Sequence, residues 1–135
     1  MLRRRRAAGD PSVEARKASD AFRTVVDLVE EAKASLVAAV PRRRGAGAPL
    51  AEAVAGFEER LRAASYRMAP WRIDVVRAEW DACSEALRES LRRAEALRLT
   101  GSPTGYEELA PALAGLMEPL EAFEAALRRF RQAGV

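Results

Sequence analysis

The sequence contains no histidine. That absence excludes Ser-His-Asp and Cys-His catalysis, His-ligated zinc and the Glu-x-x-His ligand sets of helical di-iron sites. Cysteine occurs once, at Cys83, so no internal disulfide can form, which fits a reducing cytoplasm. Aromatic residues number eight, which leaves the core mostly to Leu, Val and Ala. No apolar run approaches the ~20 residues that cross a bilayer. The basic opening MLRRRRAAGDPS has no apolar stretch behind it to make a secretory signal. There is no phosphate-binding glycine loop and no Cys-x-x-Cys pair. Sustained period-2 alternation with β-branched residues is also missing, so no sheet is expected.

What is present is helical patterning. At 135 residues the chain suits one compact domain, and 49% of it is apolar. Four segments carry apolar residues at the 3,4 spacing of a packed helix seam. The first runs Ala15, Ala18, Phe22, Val25, Val29, Ala32, Leu36, Ala39, with Asp10 as N-cap, Pro11 at the first helical position and Pro41 beyond its end. The second opens at Pro49 and runs Leu50, Val54, Phe57, Leu61, Ala64, Met68. The third runs Ile73, Val76, Trp80, Cys83, Leu87, Leu91, Ala94, Leu97 and is closed by Thr100-Gly101. The fourth runs Leu109, Leu113, Leu116, Leu120, Phe123, Leu127, Phe130.

Acidic residues early in these segments (Glu14, Asp74, Glu107, Glu108) and basic ones late (Arg98, Arg128, Arg129) agree with the helix dipole. Glu58/Arg62, Glu89/Arg93 and Glu124/Arg128 are i,i+4 pairs assigned to outward faces. Pro70 is read as a break, because Ala69 before it is steered away from helical geometry. Its alternative is a kink in one long helix, giving a three-helix arrangement. Pro111 is harmless if the main part of the fourth helix starts near Glu107. Pro119 lies inside the fourth seam and removes the hydrogen bond to the Gly115 carbonyl, so a bend is expected there.

The resulting prediction is an all-α, antiparallel up-down-up-down four-helix bundle with helices at about 10–40, 49–69, 71–99 and 104–132. Residues 1–9 are read as a disordered basic tail and 10–135 as the single domain. Pro41–Pro49 is a flexible linker by composition.

The net charge of +3 conceals an uneven distribution. Without Arg3–Arg6 and Arg42–Arg44, the chain has 16 basic and 20 acidic residues, a net of −4. The bundle topology sends Arg3, Arg4, Arg5, Arg6, Arg67, Arg72, Arg128, Arg129 and Arg131 to one pole. Arg42–Arg44 go to the other, some 45 Å away for a continuous helix of ~30 residues. At the first pole, Tyr66, Arg67, Trp71 and Arg72 interleave aromatics with arginines. That mixture suits stacking on a base while guanidinium groups meet phosphate or carboxylate. The plainer alternative is that Trp71 covers the end of the core and the arginines keep that end in water. The Arg3–Arg6 block reads equally as a polyanion-binding arm, a membrane-surface tether or an unselected tail, since arginine excess (21 Arg, two Lys) also follows from a GC-rich coding genome.

Carboxylates are the remaining candidates for chemistry: Asp27, Glu30 and Glu31, then Glu58 and Glu59, then Asp74, Glu79 and Asp81. The Glu-Glu-x-x-Glu magnesium motif of all-α nucleotide pyrophosphohydrolases is incomplete, since Ala34 stands where the third Glu belongs. Cys83, on a seam beside Trp80, reads as a buried small residue with no base to activate it. Apolar residues beside the seams (Val26, Leu28, Val37, Val40, Val75, Leu99, Met117) either widen the core or supply a dimer surface.

The expectation is therefore a cytoplasmic bundle acting by protein–protein interaction or self-association, with no catalysis, metal or cofactor. A pocket near the Pro119 bend is also considered. The first alternative is polyanion binding, to nucleic acid or a phosphorylated ligand, through the arginine-rich pole. A carboxylate-metal hydrolase is the second.

Overall fold

Ala18, Phe22, Val25, Val29, Ala32 and Leu36 form one continuous buried stripe along the first helix, α1 (Pro11–Val37). The helix ends earlier than its seam. Its last turn tightens, with the Ala39 and Val40 amides donating three residues back to Leu36 and Val37, both at 3.0 Å. The computed structural model describes residues 11–40, 49–100 and 106–134. The basic tail Arg3–Arg6, the Arg42–Arg44 block and Gly101 lie outside them.

The second helix, α2 (Leu50–Met68), buries Val54, Phe57, Leu61, Ala64 and Met68 against α1. These two helices approach closely at Gly56, where an added Cβ would lie 2.5 Å from the Ser35 hydroxyl. The same hydroxyl donates to the Ala53 carbonyl at 2.9 Å.

Ala69 keeps right-handed helical geometry (φ −50°, ψ −46°) although it precedes Pro70, so the chain leaves the helix only at Arg72 and Ile73, and the connection differs from the expected direct restart. Two short 3-10 turns, Ala69–Trp71 and Asp74–Val76, flank an extended Ile73, and the third helix, α3, begins only at Arg77 and runs to Thr100. The physical reason is a substitute cap. The Trp80 indole N–H donates to the Met68 carbonyl at 2.8 Å, holding the end of α2 against the start of α3.

The fourth helix is broken in two: α4 (Tyr106–Met117) and α5 (Pro119–Gly134), with Glu118 in a turn between them. This is the bend expected at Pro119. Pro111 stands inside α4, in its second turn, and the helix tolerates it there.

The four segments pack as an antiparallel up-down-up-down bundle, with α1 closest to α2 and α3 closest to α5. Phe22 of α1 stacks on Phe130 of α5, with ring centroids 4.1 Å apart, which closes the bundle between its first and last helices. Among the described residues, no helix is long and apolar enough to cross a membrane.

Candidate functional site

Where a proline interrupts a helix, the carbonyl four residues earlier loses its amide partner. Pro119 does this to Gly115, and α3 supplies the replacement. The Arg93 guanidinium donates to the Gly115 carbonyl at 2.9 Å and to Glu118 in the turn at 2.7 Å. Its Nε donates to Glu89, one turn back on α3, at 3.0 Å. Beside it, the buried Ser90 hydroxyl donates to the Leu116 carbonyl at 2.9 Å. Two side chains of α3 thus cap a helix end in the middle of the bundle. Their electrostatics follow. Hydrogen bonds first from Arg92 and then from Arg93 hold the Glu89 carboxyl below its ordinary range, while the bonds that Arg93 donates to Glu118 and Glu89 raise its own pKa.

The break also opens a groove of about 680 Å³ between α3 and α5. Small residues form its floor: Ala82 and Ala86 from α3, Pro119 and Ala122 from α5. Glu85, Glu89 and Arg92 stand on the α3 side of the rim, and Glu118 and Glu121 on the α5 side. A second, shallower depression continues along α3 through Glu95 and Ala96 to Leu99. Leu99 is 80% exposed at its end.

The arginine-rich pole is arranged differently. Tyr66 is 81% exposed and Arg67 is exposed beside it, but Trp71 is half-buried against the core. Arg72 turns away from them toward α3. Its Nε and Nη2 donate to the two carboxylate oxygens of Asp81 at 2.7 and 3.0 Å, and it lies 5.8 Å from the Trp80 ring centroid. The Arg72 hydrogen bond holds Asp81 below the ordinary carboxylate range. Arg128 and Arg129 are exposed on α5. Arg3, Arg4, Arg5 and Arg6 lie outside the described residues.

Most of the acidic candidates face basic side chains; Asp27 and Glu79 make no ion pair among the described residues. Glu30 pairs with Lys33 at 2.9 Å, Glu31 with Arg60 at 3.4 Å and Glu59 with Arg60 at 3.6 Å. Asp74 pairs with Arg77. Glu58 corrects its assignment to an outward face. It is only 3% exposed, because Arg98 reaches across from α3 to both of its oxygens, at 2.9 and 3.1 Å, with Arg62 at 3.4 Å. Glu124 likewise pairs across helices with Lys33 at 2.7 Å. Among the described residues no three acidic or thiol side chains converge as a cation site. Cys83 is buried, with its thiol 3.9 Å from the Phe123 carbonyl, and burial pushes its pKa up to about 12.

Sequence reasoning located the Pro119 defect but not Ser90 and Arg93, which repair it. A Ser one residue off an otherwise apolar seam was the available signal. Comparison with known protein families, curated proteins and solved structures finds no match to this chain.

Proposed function

We propose that the protein is a non-catalytic binding module of the cytoplasm, and that its working surface is the α3–α5 groove at the Pro119 break. The observation that carries this reading is the groove's make-up: an apolar floor of small side chains inside a rim of both charge signs. Such a floor admits the ridge of another helix, and the rim sets its register. A proline break is a costly place to leave carbonyls unsatisfied, and α3 devotes two side chains to keeping this one in shape. Burial keeps the Cys83 thiol largely neutral, so this cysteine is not a nucleophile presented to the groove.

A photo-crosslinking residue at Ala122, in the groove, and one at the exposed Asp20 on α1 test this reading. Discrete protein adducts are expected from position 122 alone. Equal yields from both positions, or none from 122, would overturn it.

Polyanion binding at the arginine-rich pole is a second reading. It is supported by the exposure of Arg67, Arg128 and Arg129, which make no ion pair among the described residues. The bidentate Arg72–Asp81 pair weighs against it, because it takes the central guanidinium out of play. Salt-sensitive retention of nucleic acid that falls in Arg67→Ala and Arg128→Ala variants would favour this pole over the groove.

A further inference from the structure

We propose that the partner which docks on this face is a second copy of the chain, with the two α3 helices antiparallel about a twofold axis between Glu89 and Arg92. The inference rests on the reading of the α3–α5 groove as a protein-binding surface and names its occupant.

One exposed leucine by itself requires no explanation. What points to self-docking is the register of its helix. The two depressions follow α3 for about 25 Å, and the residues along them, Ala82, Glu85, Glu89, Arg92, Ala96 and Leu99, recur at alternating spacings of three and four. This is a second heptad stripe, on the side of α3 away from Cys83, Leu87, Ser90 and Ala94, which face the core. Laid antiparallel on itself, the stripe is complementary at both ends and at its centre. Ala82 meets the partner subunit's Leu99, so the most exposed leucine enters the mouth of the small-residue groove. Glu89 meets the partner subunit's Arg92, and Glu85 meets the partner subunit's Ala96. Flanking them, Arg88 meets the partner subunit's Glu95, again with opposite charge.

The twofold axis repeats every one of these pairings. Arg92 already pairs with Glu89 and Glu85 on its own helix, so docking exchanges internal ion pairs for external ones. The charges therefore set register and orientation, and burial of the two Leu99 side chains drives association. With half of the stripe polar, the dimer belongs to the weak, reversible class.

Sedimentation and light scattering of the full chain, up to about 1 mM, give the test. The wild type is expected to rise with concentration from 14.8 kDa toward twice that mass. Leu99→Lys removes the apolar contact at an exposed position, and its helicity by circular dichroism reports that it still folds. It should stay monomeric. Arg88→Glu and Glu95→Arg each oppose like charges across the axis and should weaken association about tenfold. The double variant restores opposite signs and should recover it. These two residues lie two helical turns apart on one chain, so recovery reports pairing between chains.

A single-chain mass for the wild type at that concentration overturns self-docking, and Ala122 adducts with other proteins would then leave the groove reading standing. A dimer indifferent to Leu99→Lys and to both reversals forms elsewhere and also overturns the proposal.

Discussion

Arg93 stands in for an amide that Pro119 does not have. Its guanidinium reaches from α3 to the Gly115 carbonyl at 2.9 Å, the acceptor stranded by the proline on the neighbouring helix. A local defect in one helix is thereby made good by a side chain of another, and α3 is tied to the end of α4 beside the groove.

Removing the donors should loosen that tie. Ser90→Ala leaves the buried Leu116 carbonyl without this partner and should destabilise the protein by about 1–2 kcal/mol in urea unfolding. Arg93→Ala should also destabilise, and less so in a Pro119→Ala background, where residue 119 regains its own N–H. Equal effects in both backgrounds would mean that Arg93 acts through Glu89 and Glu118 instead.

Glu58 is the one carboxylate of the described residues that the core encloses, and Arg98 is its main counter-charge. Arg98→Ala should cost about 1–2 kcal/mol, below the figure for a wholly buried pair because Arg98 itself is half in water. Glu58→Met, which removes the need for a partner while keeping the volume, should be milder. Thermal unfolding of the two variants decides the order.

The helical bundle was legible because most seam positions face the core, although Ile73, Trp80, Leu91 and Leu97 of the third seam are only half-buried. Phe22, Phe57, Leu87 and Phe123 are all buried, as their spacing requires. The buried polar positions are harder to read, because their partners lie far along the chain. Glu58 looks like a surface residue until Arg98, forty residues later, is brought beside it. Ser90 displaces Leu91 from the core because its hydroxyl has the Leu116 carbonyl to meet. The groove was half legible: a proline in a seam announces a bend, but the alanines that floor it carry no signal of exposure in the sequence.

Gly56 and Gly115, inside α2 and α4, should respond differently to alanine. At Gly115 an added Cβ meets nothing, so Gly115→Ala should stabilise by about 1 kcal/mol through helix propensity. At Gly56 the Cβ would displace the Ser35 hydroxyl from the Ala53 carbonyl, offsetting that gain. Gly56→Ala should therefore be near neutral in the wild type and stabilising in a Ser35→Ala background. Denaturant midpoints of the four-member cycle measure the coupling.

Cys83 should be silent to thiol reagents in the native state. Its ionisation lies at about 12, raised by burial, so the thiolate is scarce throughout the neutral and mildly alkaline range. The sign follows for stability. A thiol that ionises more readily once unfolded draws the equilibrium toward the unfolded chain as pH rises above the ordinary thiol range. Labelling at pH 8 should follow global unfolding, and Cys83→Ala should flatten the loss of stability on the alkaline side.

The Phe22–Phe130 stack has a kinetic consequence. The most extensive pairings, α1 with α2 and α3 with α5, join segments nearer in sequence, whose contacts are entropically cheaper to close. The stack alone of the aromatic contacts joins the first helix to the last. Phe130→Ala is therefore expected to speed unfolding while leaving the refolding rate almost untouched, which stopped-flow kinetics would check.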